Sequence, residues 1–176
     1  MPIYRLDGIA PTIHESAYVH PDAVLIGDVN IGADSTIWPG VVLRADYGPI
    51  FIGERTSIQD GSVIHTMADY PTTIGSDCVV GHMTHLEGCL VEDWVLIGSG
   101  SIVLNRVTVQ TRSLVAAGAL VREGDTVPTG HLATGVPATM RELGKDHSAW
   151  MKHAVDSYVS SGRRYRAGLE LVRDQD

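Results

Sequence analysis

Ile13, Val19, Leu25, Ile31, Ile37 and Leu43 stand six residues apart, and the same step governs most of the chain. The register resumes at Ile52, Ile58 and Ile64, and again at Ile74, Val80 and Leu86. After one five-residue step it runs on through Val91, Ile97, Val103, Val109, Val115 and Val121. Two residues before a mark the side chain is usually small or aliphatic, as at Ala17, Ala23, Val29, Val41, Thr56, Ser62, Cys78 and Thr84. A helix of period 3.6 cannot hold a six-residue register over such a length. A six-residue unit with two inward positions suits a short strand followed by a tight turn. Three units then close one triangular coil, and stacked coils bury a continuous aliphatic column. The mark and the residue two before it point inward; the residues on either side of the mark point outward. The pattern predicts an all-β solenoid, a parallel β-helix of hexapeptide repeats. An ordinary antiparallel β-protein gives no reason for so many units to stay in step.

The register fades after Val121. The stretch VPTGHLATGVPA reads as a Pro/Gly-rich loop. Beyond it Trp150, Met151, Ala154, Val155, Tyr158 and Val159 form one apolar stripe at helical spacing. Asp146 or Ser148 is placed to cap this helix, and Gly162 to end it before the basic tail RRYRAG. Residues 1–137 are expected to form the β-helix domain, and 138–176 a C-terminal helix and tail packed on it within a single domain. The flat faces of a lone solenoid need cover, which favours a homotrimer. A chain of 176 residues with 44% hydrophobic content can bury a real core, and with only ten aromatic residues that core is aliphatic. A net charge of −8 with scattered Lys and Arg argues against nucleic acid and against an anionic membrane surface. No signal peptide or membrane-length apolar run is visible, so a cytoplasmic location is expected. The two cysteines, Cys78 and Cys89, make no disulfide framework; Cys78 reads as an inward core residue and Cys89 as packed at a corner.

Every third unit shares a face, so register decides which polar side chains meet. Arg44, His65 and Glu87 each follow a mark, three units apart, and form one outward column. His85 precedes Leu86 and points to the same side as Glu87. Gln59 and His82 belong to the adjacent face. His82 therefore points away from His65 in its own chain, where a neighbouring subunit can receive it. Imidazole and carboxylate suit a divalent cation such as Zn²⁺. For any one of these histidines alone, a solvated strand is the plainer reading. Three histidines gathered by register beside Arg44, Asp46 and Gln59 favour a site. His14, His20, His131, His147 and His153 read as surface or packing residues, and Trp38-Pro39-Gly40 as a turn.

The run VVLRADYGPIFIGERTSIQDGSVIH at 41–65, then TIGSDCVVGH at 73–82, IGSGSIVLNRV, VAAGALV and GVPATMRELG resembles the γ-class carbonic anhydrase family over most of the chain. The resemblance implies a left-handed β-helix trimer with Zn²⁺, or Fe²⁺ or Co²⁺, between subunits. It implies His65 as the first metal ligand and His82 as the ligand given across the interface. Arg44 and Asp46 match the pair that ties subunits together. Gln59 and Asp60 match residues flanking the metal-bound solvent, and Tyr158 a tyrosine near the site.

Three positions depart from that pattern. The third ligand histidine is expected five residues after His82, where this chain has Glu87; His85 lies two residues earlier on the same outward side. Ser57 stands where Asn is frequent, and the loop TMADYPT lacks the acidic insertion that carries a proton shuttle in the most active members. His85 is expected to replace the missing ligand, with Glu87 as its neighbouring acceptor or a general base. The implied activity is reversible hydration of CO₂ to bicarbonate by metal-bound hydroxide. The competing readings are a metal-stabilised trimeric assembly protein and a thioesterase- or acyltransferase-like enzyme.

Overall fold

The computed structural model describes residues 2–144 and 147–172. The chain winds as a left-handed parallel β-helix and ends in one helix, Ser148–Gly168. One face stacks Val63–His65, His85–Glu87, Ile102–Val103 and Leu120–Val121 beneath the first half of the long strand Val42–Ile52. The second half of that strand bends onto another face, above Thr72–Ile74, Leu90–Val91, Thr108–Val109 and Thr126–Val127. The third face runs from Tyr18–Val19 through Thr36–Ile37, Ser57–Ile58, Val79–Val80 and Leu96–Ile97 to Leu114–Val115.

Burial explains the pairing. Leu25, Ile37, Leu43, Ile58, Ile64, Val80, Leu86 and Ile97 are fully buried marks, each stacked on the mark of the coil below. Val29, Val41, Ser62, Cys78 and Val95, two residues before their marks, are fully buried as well. A one-residue slip would turn every mark to solvent, so this column fixes the register of all three faces. Cys89 belongs to the same core. Burial pushes both thiols up to about 12, which removes them as ready ligands.

The coils are unequal in length. Tyr18 pairs with Thr36, Thr36 with Ser57, Ser57 with Val79 and Val79 with Leu96. These steps are 18, 21, 22 and 17 residues by subtraction of the paired numbers. The surplus sits on one edge. Residues 46–49 bulge between Ala45, paired with Gly27, and Ile50, paired with Val29. Residues 66–71 loop out between His65 and Thr72, closed by a bridge between Met67 and Tyr70. The short step follows from the five-residue spacing from Leu86 to Val91.

Three details differ from the sequence reading. VPTGHLATGVPA is not a loop: Thr126–Val127 and His131–Gly135 are strands, and the latter pairs antiparallel with Ala138–Glu142. Leu132 and Ala133 stay in register on Leu114 and Val115, so the core column continues past the point where the marks become irregular. The helix begins at Ser148, with His147 in the N-cap position and no side-chain cap bond there; Asp146 lies outside the described residues. Gly162 does not end the helix. It lies within it and is buried, on one stripe with Met151, Val155 and Val159. The sequence RRYRAG is therefore its last turn and a half rather than a tail.

The stripe packs on the third face, where Val155 and Val159 meet Val79. Two ion-pair sets fix its direction: Arg55 bridges Asp77 and Asp156, each at 2.7 Å, and Arg163 reaches Asp34 at 3.2 Å. A Cβ on Gly162 would stand 2.5 Å from the buried Thr36 Cγ2. Glycine is thus what lets the helix backbone approach the sheet. Gly162→Val is expected to destabilise the protein by about 1–3 kcal/mol through overpacking. Thr36→Ser, which deletes the opposing methyl but keeps the hydroxyl, should recover part of that loss. Urea unfolding of the two single variants and the double variant measures the coupling; additive effects would exclude the contact as the cause.

Candidate functional site

Register builds the first cluster. Arg44 pairs with His65, and His65 with Glu87, so three outward side chains stack on successive rungs. The bulge at 46–49 returns Asp46 over this column. His65 Nδ1 lies 2.8 Å from Glu87 Oε1, and its Nε2 lies 2.8 Å from Asp46 Oδ1. The other oxygen of Asp46 accepts from Arg44. The other oxygen of Glu87 is 3.4 Å from His85 Nε2. An unbroken chain of contacts therefore runs from Arg44 through Asp46, His65 and Glu87 to His85. Ionised carboxylates only accept hydrogen bonds; a neutral imidazole fills one of the two bonds at His65, and a protonated ring fills both.

The carboxylates respond to this setting. Partial burial pushes Asp46 up, but bonds from His65 and Arg44 outweigh it and leave the group below its ordinary value. Glu87 is lowered mainly by the bond from His65; burial opposes this, and His85 adds to the lowering. Tyr47, exposed on the bulge, sets its ring edge-on at 6.0 Å from His65. The hexapeptide pattern gave no sign of it, because the bulge interrupts the repeat there.

The second cluster lies on the face that carries the helix. Gln59 follows Ile58, and its rung neighbour is the segment leading to His82. His82 Nδ1 lies 3.0 Å from Asp60 Oδ2, and both side chains are about half exposed. Tyr158 of the helix borders the same hollow as Gln59 and His82. Its ring stands edge-on to Trp38 at 6.3 Å. Trp38 does more than open a turn: its indole N–H donates to Thr36 and Ser57, and the ring supports the helix.

The nine candidate residues thus form two groups on two faces. Arg44, Asp46, His65, His85 and Glu87 meet on one; Gln59, Asp60, His82 and Tyr158 meet on the other. Among the described residues, no three His, Cys, Asp or Glu side chains of one chain form a metal-holding set. No helix among them is long and apolar enough to cross a membrane.

Comparison with known proteins adds the following. Residues 10–45 match the family described as bacterial transferase hexapeptide (six repeats). The mitochondrial γ-carbonic anhydrase 1 of Arabidopsis thaliana is 38% identical over 165 residues, covering 90% of this chain and 60% of that protein. The chain therefore spans about 60% of the length of this curated relative. The carnitine operon protein CaiE of Escherichia coli K12 is 35% identical over 159 residues, covering 90% of this chain and 81% of that one. A crystal structure of a hexapeptide transferase family protein from Anaplasma phagocytophilum superposes with a TM-score of 0.89 at 34% identity, covering 93% and 98% of the two chains.

The lowered Glu87 carries a pH signature. A carboxylate whose folded-state value is depressed stabilises the fold above its unfolded value of about 4.5, and that contribution disappears as pH falls through the folded value. In chelator-treated protein, Glu87→Gln should therefore be less stable than wild type at neutral pH. The difference should shrink as pH falls below the ordinary carboxylate range. Urea melts across that range test this; a stability difference independent of pH would show that the His65–Glu87 bond is not its source.

Proposed function

The chain belongs to the γ-class carbonic anhydrase family, and we propose that it is a metal-dependent enzyme of that family, hydrating CO₂ reversibly at sites shared between copies of a homotrimer. One observation carries this reading: the candidate residues divide into two clusters on two faces of the same chain. Neither cluster is a complete site. Each has what the other lacks, and a trimer that apposes the two faces joins them.

The donor types suit a divalent cation, and binding one at His65 would take its Nε2 from the contact with Asp46. His65 and His85 would come from one copy and His82 from its neighbour, giving three imidazoles with carboxylates behind them, a set suited to Zn²⁺ and also to Fe²⁺ or Co²⁺. A bound metal of this kind acidifies water so that it ionises near neutral pH. The protein's own groups do the rest. Glu87, held between the rings of His65 and His85, orients both. His82 is oriented by Asp60 through Nδ1. Gln59 would hold the attacking oxygen by a hydrogen bond, and Tyr158 closes the helix side of the hollow. Arg44 and Asp46 hold the first cluster in place and would tie the subunits together.

Zinc-dependent CO₂ hydration, followed by a pH indicator in stopped flow, tests the activity. Full metal occupancy without turnover would favour the metal-stabilised assembly protein. The likeness to a hexapeptide transferase keeps acyl transfer as the second reading, which protection by coenzyme A would favour.

Shared sites predict complementation. His65→Ala and His82→Ala chains should each bind little metal, whereas mixed trimers should rebuild some sites with His65 from one chain and His82 from another. Metal analysis after subunit exchange measures this; mixtures no better than either parent would exclude a shared site. The two residues that replace the expected third histidine should also separate. His85→Ala is expected to lose most of the metal. Glu87→Gln should keep it at saturating concentration while turnover falls about 10–100-fold, the usual cost of losing an orienting partner. The reverse pattern would make Glu87 the ligand.

A further inference from the structure

Trp150 belongs by spacing to the apolar stripe of the helix, yet its indole is 52% exposed while Met151, Val155 and Val159 are buried. It stands on the helix flank nearest His82, in one row with Ala154 and Tyr158 at four-residue spacing. Tyr158 lies beside Gln59; eight residues of helix rise about 12 Å, two to three rungs, which brings Trp150 beside Leu96, Gly98 and Ser99. The corner next to this row is itself a ladder. The Met83 N–H donates to the Asp60 carbonyl, and the Gly100 N–H to the His82 carbonyl, so Asp60, His82 and Ser99 follow one another on successive rungs. The face of His65 carries a second ladder, in which Val63, His85 and Ile102 form one outward column beside that of Arg44, His65 and Glu87. Ile102 is 39% exposed there.

A cyclic trimer keeps every residue level with its own copies along the threefold axis. The shared site meets that condition with the solenoid axes parallel to the threefold, because His82 and His85 lie on one coil and His65 on the coil before it. The match then continues in both directions. One rung toward the N-terminus, Asp60 comes opposite Arg44 of the partner subunit, an acid against a base. One rung the other way, Ser99, with Trp150 beside it, comes opposite Ile102 of the partner subunit. We infer that Trp150 is the apolar anchor between copies: its indole lies on Ile102 of the partner subunit, one rung past the shared site, and closes that side of the site to water. A tryptophan suits the task, since its large ring buries much area at little cost in freedom and is enriched at the centres of interfaces. The inference rests on the reading of the site as shared between copies. It adds the register in which the copies meet and a residue outside the donor set.

Cross-linking reads the position. Chains carrying Ile102→Cys and chains carrying Trp150→Cys, mixed and zinc-loaded, should be joined by a short bismaleimide into linked pairs that neither variant gives alone. The native Cys78 and Cys89 are buried and do not compete. Val63→Cys, two rungs or about 10 Å from Ile102 on the same column, should give no link with Trp150→Cys. In sedimentation, Trp150→Ala should keep the fold and raise the concentration of half dissociation of the zinc-loaded trimer at least about tenfold. A link to Val63→Cys in place of Ile102→Cys, no link in a protein that sediments as a trimer, or a trimer undisturbed by Trp150→Ala would overturn the inference. Metal recovery in mixed His65→Ala and His82→Ala chains separates it from the reading beneath it. Recovery without the link keeps the shared site and removes this contact, the link without recovery does the reverse, and a protein that stays monomeric with zinc removes both.

Discussion

The stacking of one buried aliphatic side chain on the next decides nearly everything else in this molecule. Leu43, Ile64 and Leu86 occupy successive rungs, fully buried. Because side chains alternate along a strand, fixing these three fixes their outward neighbours as well. Arg44, His65 and Glu87 are aligned because the residues just before them are. The polar column is thus a by-product of the apolar one, and its precision is that of core packing rather than of surface charge, which screening weakens.

The core column and the outward column were legible in the sequence because both depend on a local period. Features that depend on elements far apart in the chain were not. Gly162 looked like a helix terminator because glycine is a poor helix former; only its approach to Thr36, more than a hundred residues earlier, explains its place inside the helix. The hairpin of His131–Gly135 and Ala138–Glu142 was hidden because proline and glycine mark turns without saying how short the turn is. The direction of His82 could be read from its unit. Its bond to Asp60 could not, since that depends on how two successive corners stack. The cleft at Gln59 was also out of reach, because it exists only where the helix lies over the sheet.

The electrostatics of the two clusters differ in kind. At His65 two partly exposed carboxylates grip one nearly buried ring from both sides. At His82 a single, half-exposed carboxylate holds a half-exposed ring. The first ring is fixed by its own chain. The second retains freedom to adjust to whatever approaches its face, which suits a group offered outward.

The unequal coils separate two properties that a regular repeat would tie together. Steps of 17, 18, 21 and 22 residues all preserve the stacking of the marks. The solenoid is therefore strict in pitch and permissive in circumference: chain can be added at an edge without moving any rung. Both enlarged coils swell at the same edge, immediately after Ala45 and after His65. That edge behaves as a hem that can be let out, altering what overhangs the His65 column while the column itself keeps its spacing.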